Sequence, residues 1–235
     1  MGGGNVKIYV STCDNYDHLL PGFAWLFNKY WGKDQKVTIL GFRPPPTLPD
    51  NFTFHSFAPV ETKTWAEYLH MYFKSQKRVR QFIFLFDDYW LTEPINKSRV
   101  ISMLRQVQKG AAKGDLSENV HHFAHKKEGN LVIAAQTAQY RCSTQPAFWN
   151  RKHMLRLLRE HGSPWQFELQ SAQVNDGQRL VGTDTQIYVY ANVYYKGKPH
   201  THMLKKIKKE DFEVLERQGF LKGMPGISLE TIYST

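Results

Sequence analysis

Five apolar residues in succession, Phe82, Ile83, Phe84, Leu85 and Phe86, run directly into Asp87 and Asp88. A short unbroken apolar run bounded by a turn signal is the pattern of a strand buried on both faces. Such strands belong to α/β sheets, where the carboxyl ends of the strands open into the ligand crevice. Two like charges at the mouth of a buried strand then have two readings: a helix cap followed by a solvated acid, or a seat for a divalent metal.

The flanking sequence supports an α/β class. Strands are expected at Val6–Val10, Lys36–Leu40, Phe52–Phe57 and Phe82–Phe86. Between them, apolar residues at helical spacing predict a helix through Leu19–Tyr30, capped by Asp14 or Asp17, and another over Trp65–Val79. A further helix starts at Pro94 and carries Val100, Ile101, Leu104 and Val107 on one face. Beyond it, Lys109–Asn130 reads as loop, Leu131–Thr137 and Gln186–Val193 as strands, Pro146–His161 as an amphipathic helix and Asp211–Arg217 as a late one. The alternation predicts one α/β domain with a mixed, mainly parallel central sheet flanked by helices. Two halves are expected, at about 1–110 and about 131–205, with a basic segment at the C-terminus.

Charge narrows the partners. Thirty-one Lys and Arg against 21 Asp and Glu leave +10, clustered at Lys74–Arg80, Arg151–Arg159 and Lys196–Lys209. Three basic blocks without acidic counterparts favour an anionic ligand such as a nucleotide or nucleic acid. No run approaches the roughly 18 apolar residues of a membrane span, and no signal-peptide pattern is visible. Two cysteines, Cys13 and Cys142, are too few for a disulfide framework. A cytoplasmic protein is expected.

No Walker loop, G-x-G-x-x-G or G-x-S-x-G is present. His121, His122 and His125 read as a solvated loop rather than a zinc site. Two places remain. Asp87 and Asp88 suit Mg²⁺ or Mn²⁺, which uses one or two carboxylates and completes its shell with phosphate oxygens. In His161-Gly-Ser-Pro-Trp-Gln-Phe-Glu168, a Ser-Pro turn is expected to present Trp165 beside Glu168, a ring to cover a sugar and a carboxylate to take a hydroxyl proton. The plainer reading is a packed turn with Glu168 in water.

Taken in order, Val10–Tyr16, Phe86-Asp-Asp-Tyr-Trp90, Ala134–Tyr140, Trp149-Asn-Arg151, Ser163–Glu168 and Asn192–Lys198 resemble GT-A-type glycosyltransferases. The likeness is to the small bacterial and phage group of sugar or capsular-polysaccharide transferases, over about residues 6–205. It implies that Thr12, Cys13 and Asp14 lie against the base and ribose of a nucleotide sugar. Asp87 and Asp88 stand at the D-x-D metal motif, although Tyr89 replaces its last aspartate. Glu168 matches the catalytic base of inverting members. Trp165, Trp149 and Arg151 fall on the acceptor side. His200 or His202 is the late ligand to metal or pyrophosphate, alongside Asp88.

The expected activity is transfer from a UDP-sugar type donor to an acceptor hydroxyl, with Mn²⁺ or Mg²⁺ as cofactor. A hydroxymethylated base in phage DNA is one acceptor that would explain the +10. A non-catalytic nucleic-acid-binding protein and a nucleotidyltransferase with the same strand-end acids are the alternatives.

Overall fold

The computed structural model describes residues 6–45, 47–60, 63–118, 125–159, 162–171 and 175–234. His121, His122 and His161 lie outside them. The first elements are β1 (Ile8–Ser11), α1 (Leu20–Tyr30), β2 (Val37–Gly41), β3 (Phe52–Ser56), α2 (Trp65–Ser75), β4 (Gln81–Phe86), β5 (Tyr89–Leu91) and α3 (Lys97–Gln108). Next come β6 (Lys113–Asp115), β7 (His125–Glu128), β8 (Leu131–Ala134), β9 (Ala147–Asn150), α4 (Arg151–Leu158), α5 (Pro164–Ser171) and β10 (Leu180–Thr183). The chain ends with β11 (Tyr190–Asn192), β12 (Tyr194–Tyr195), β13 (Lys198–Pro199), α6 (Thr201–Leu204), α7 (Lys209–Arg217) and α8 (Leu229–Tyr233).

Nine strands form one sheet in the order β3-β2-β1-β4-β9-β6-β10-β8-β7. β2 and β3 are parallel, and so are β6 and β10. β9 runs antiparallel to both β4 and β6, and β8 antiparallel to β10 and β7. Thus β4, β6, β10 and β7 share one direction and β9 and β8 oppose it: the sheet is mixed and mainly parallel, as the sequence predicted. The chain divides into two compact units, Met1–Tyr9 with Phe57–Leu85 and Asn96–Ile187, and Val10–Ser56 with Phe86–Ile95 and Tyr188–Thr235. The halves expected at 1–110 and 131–205 cut across both.

In the first unit, Phe82 to Leu85 are fully buried, so the apolar run does form a strand covered on both faces. The α2 helix starts where a capping box allows: Thr64 accepts from the Glu67 amide and the Glu67 carboxylate accepts from the Thr64 amide. It ends at Ser75, short of the expected Val79. The helix expected over Pro146–His161 is instead a strand followed by a shorter helix. β9 lies between β4 and β6, with Trp149 opposite both Phe82 and Lys113. Aromatic residues suit a sheet position flanked on both sides, and that tertiary context overrides the helical spacing. Asn150 then caps α4 by accepting from the Lys152 amide at 3.0 Å.

The stretch read as loop contains β6, a Lys-Gly-Asp strand buried throughout. Lys113 and Asp115 are each 1% exposed and 3.3 Å apart. Ser143 accepts from the Lys113 ammonium at 3.2 Å and Ser117 donates to Asp115 at 3.0 Å, so both charges are compensated inside the sheet. Gly114 is required there, because a Cβ would come within 2.8 Å of the Met103 side chain on α3.

On α4, His153 is buried with its Nδ1 3.2 Å from an Arg156 guanidinium nitrogen. The guanidinium can only donate, so Nδ1 accepts and the neutral ring carries its proton on Nε2. Burial, then the Arg156 charge, push the imidazole down to about 4 from an ordinary 6.5. The unfolded chain therefore takes up a proton below about pH 6.5 that the folded chain refuses until about pH 4, and stability is lost as pH falls through that window. The loss is on the order of 3 kcal/mol, at about 1.4 kcal/mol per pKa unit. Denaturant melts at pH 7 and pH 4 should show this loss in the wild type and a markedly smaller one in His153→Gln.

Candidate functional site

The sheet order reverses direction at β1, with β2 on one side of it and β4 on the other. Open α/β sheets bind ligands at such a switch point, outside the carboxyl ends of the two strands. In the second unit those ends are Thr12, directly after β1, and Asp87, directly after β4. The Thr12 hydroxyl donates to the Asp87 carboxylate in a short hydrogen bond. The Thr12 amide in turn donates to Leu40 O at 3.0 Å, and a Cβ at Gly41 would lie 2.6 Å from the Thr12 methyl.

Asp87 is 3% exposed. Desolvation, and then the charge of Asp88, raise its carboxyl well above the ordinary 3.8. This corrects the expectation that Asp87 and Asp88 share an open metal seat: Asp87 is turned inward onto Thr12. Nor does either acid precede a helix. Asp87 and Asp88 form the turn between β4 and β5, and β5 pairs with β11.

Asp88 is half-buried. The orientation that satisfies the Asn192 amide places its nitrogen 3.0 Å from Asp88 Oδ2 and 2.7 Å from Tyr194 O. The Asp88 carbonyl accepts from the Val193 amide at 2.9 Å, and the Val193 carbonyl accepts from the His200 amide at 2.8 Å. This two-step backbone link ties His200 to the acidic turn across more than a hundred residues of sequence. His200 Nδ1 is buried with no hydrogen-bond partner among the described residues, and its ring is 5.9 Å from that of Tyr195. His202 sits on α6 and is exposed.

Cys13 is half-buried, and burial pushes its thiol up. Asp14 accepts from the Arg43 amide at 3.2 Å and from Arg43 Nε at 3.1 Å. Neither Asp14 nor Asp17 caps α1, whose N-cap is Leu19 without a side-chain bond. Among the described residues no three His, Cys, Asp or Glu side chains are grouped to share a metal.

The turn is held from beneath by Trp90, which is fully buried and donates from its indole nitrogen to Asp87 O at 3.0 Å. Its ring lies across the first turn of α1 at Gly22, where a Cβ would fall within 2.9 Å of three ring carbons.

The first unit carries the second carboxylate. Glu168 lies on α5, not on a Ser-Pro turn, because Pro164 opens that helix. Its Oε1 accepts from both the amide and the hydroxyl of Thr144, each at 2.6 Å, and Oε2 accepts no hydrogen bond among the described residues. Trp165, one turn earlier, is 58% exposed. Trp149 is fully buried, with its ring 5.8 Å from Phe167 and 5.4 Å from the Lys113 ammonium. It has no face for an acceptor, which corrects that assignment. Arg151 is half-buried and donates to Phe73 O at 3.2 Å, tying α4 to α2. Thr144, Asn192 and Trp90 hold the acids in place, and no local sequence signal marked them for it. Thr144 is 24 positions from Glu168, with no local pattern to join them. Cys142, two residues before Thr144, is buried, and burial pushes its thiol up to about 11.

No protein-family profile and no curated protein sequence matches the chain. Among solved structures, the apo form of the bifunctional glycosyltransferase WbbM is similar at 13% identity and a TM-score of 0.40. The match covers 74% of this chain and 37% of that chain, so this chain spans little more than a third of its length. No helix among the described residues is long and apolar enough to cross a membrane.

Gly22→Ala gains about 1 kcal/mol of helix propensity but displaces Trp90 from under the acidic turn. Net destabilisation in a thermal melt is the expected outcome.

Proposed function

We propose that the protein is a glycosyltransferase that moves a sugar from a UDP-sugar type donor to an acceptor hydroxyl. The observation that carries this reading is the paired Thr12–Asp87 end of β1 and β4 at the point where the strand order reverses, with Asp88 beside it. In this reading Thr12, Cys13 and Asp14 receive the base and ribose, and Asp88 faces the diphosphate. Buried and partnered, Asp87 shapes the turn rather than binding ligand.

The residues fit a hard divalent cation of the Mg²⁺ or Mn²⁺ kind. Such ions take one or two protein carboxylates and keep water and phosphate oxygens for the rest, so a three-residue cage is not needed. Asp88 would hold the ion, with His200 or His202 towards the pyrophosphate; the buried, unpartnered His200 Nδ1 supports that role. The ion would neutralise charge on the departing diphosphate.

Glu168 is the proposed proton acceptor. Its clamped Oε1 fixes the carboxylate while Oε2 keeps its lone pairs, the arrangement a general base needs. Exposed Trp165 offers the apolar face of a sugar or base a surface. With +10 on the chain, a hydroxymethylated DNA base remains the proposed acceptor.

A thermal-shift panel decides between readings. Stabilisation by UDP-sugars and enhancement by Mn²⁺ support transfer of a sugar. Turnover of nucleoside triphosphates without sugar transfer would assign a nucleotidyltransferase, and no nucleotide binding would leave a binding protein. Glu168→Gln should lower the transfer rate by roughly 10²- to 10⁴-fold with donor affinity unchanged. Asp88→Ala should abolish transfer without unfolding the chain; wild-type rates in either variant would remove that residue from its role.

A further inference from the structure

Away from the acidic turn, the second unit has a cavity of about 470 Å³ over the outer face of α1. Its apolar wall is made by Trp25, Pro21, Leu48, Pro49 and Phe220. Trp25 and Phe220 are half-buried, so each keeps an open edge or face. The lysines continue this wall into a lane. The Lys29 ammonium is 5.6 Å from the Trp25 ring and 5.2 Å from the Tyr30 ring, and the Lys208 ammonium is 5.8 Å from Tyr30 on its own approach. Lys33 lines the cavity beside Trp25 and is exposed.

The polar inventory selects the ligand. Asn28 is spent, because it exchanges amide hydrogen bonds with Asn51 at 3.2 and 2.8 Å. Lys29 is neutralised by an ion pair with Asp211, which also accepts from the Tyr30 hydroxyl. What remains is the Thr47 hydroxyl and the charges of Lys33 and Lys208, neither of which has a carboxylate partner among the described residues. A sugar polymer would bring a ring of hydroxyls into a cavity with almost nothing to bond them, at a cost for each one left unmade. A nucleobase has two apolar faces and few edge groups, and its backbone brings the negative charge the lysines lack.

We propose that this lane is a binding site for single-stranded nucleic acid, with one base in the cavity against Trp25 and phosphates at Lys33 and Lys208. A stacking surface flanked by cations is the general means of holding single strands without reading their sequence. The site does not depend on the transfer reaction and is tested by binding alone.

The test uses the full chain and a labelled oligo-dT of about 12 nucleotides, followed by anisotropy over a range of salt. Trp25→Ala should weaken binding roughly 5- to 150-fold, the effect of losing one stacked base. Trp25→Tyr, which keeps a ring, should restore most of it. Lys33→Gln with Lys208→Gln should flatten the log-log salt slope by about 1.4, at about 0.7 per phosphate contact. Absence of oligo-dT binding overturns the proposal, as does binding indifferent to Trp25 in a variant whose melting temperature is unchanged. Tighter, Trp25-dependent binding of heparin than of oligo-dT would reassign the lane to an anionic glycan.

Discussion

The hydrogen bond between Thr12 and Asp87 is the constraint on which the acidic turn depends. A buried strand that ends in two acids cannot solvate both, and an unpartnered carboxylate in that position would cost several kcal/mol. Thr12 supplies a donor from the neighbouring strand, so Asp87 turns inward and is tolerated there. The consequence is asymmetry: Asp87 is bonded inward to Thr12, while Asp88 is half-buried and faces Asn192. Adjacent residues of identical type thereby acquire different chemistry from burial alone.

That asymmetry is reinforced from two directions within the same unit. From beneath, Trp90 fills the space against Gly22 and bonds the Asp87 carbonyl, so a helix residue without a side chain determines where the turn can lie. From the later part of the chain, Asn192 and Val193 fasten Asp88, and Val193 passes the connection to His200. The first unit uses the same logic for Glu168, whose one oxygen is held by Thr144 while the other stays available. In each case a carboxylate is positioned by a hydrogen-bond donor far away in sequence.

Burial also separates residues that look equivalent on paper. Trp149 and Trp165 are both aromatic and both near Glu168 in sequence, yet one is packed inside the sheet and the other is largely exposed. Trp149 is held by its place on β9, between β4 and β6, above a compensated Lys113–Asp115 pair. Trp165 escapes that fate because Pro164 begins a new helix and Phe167, two residues on, takes the inward position.

Local pattern determined a good deal by itself. The unbroken apolar run of β4 and the helical spacing of α1, α2 and α3 are patterns that short stretches carry in full, and the α/β alternation follows from them. The acids at the end of β4 stood out as charges next to an apolar run, and Glu168 as a carboxylate near an aromatic after a Ser-Pro pair. Tertiary structure decided the rest. It made Ala147–Asn150 a strand although its spacing was helical, placed Lys113 and Asp115 inside the sheet, turned Asp87 onto Thr12, buried Trp149 and bonded Arg151 to Phe73. Each of those outcomes depends on a partner distant in sequence, 75 positions away for Thr12 and Asp87 and 78 for Arg151 and Phe73. Which face of a residue is buried is a property of the neighbours that folding brings to it, and no local window contains them.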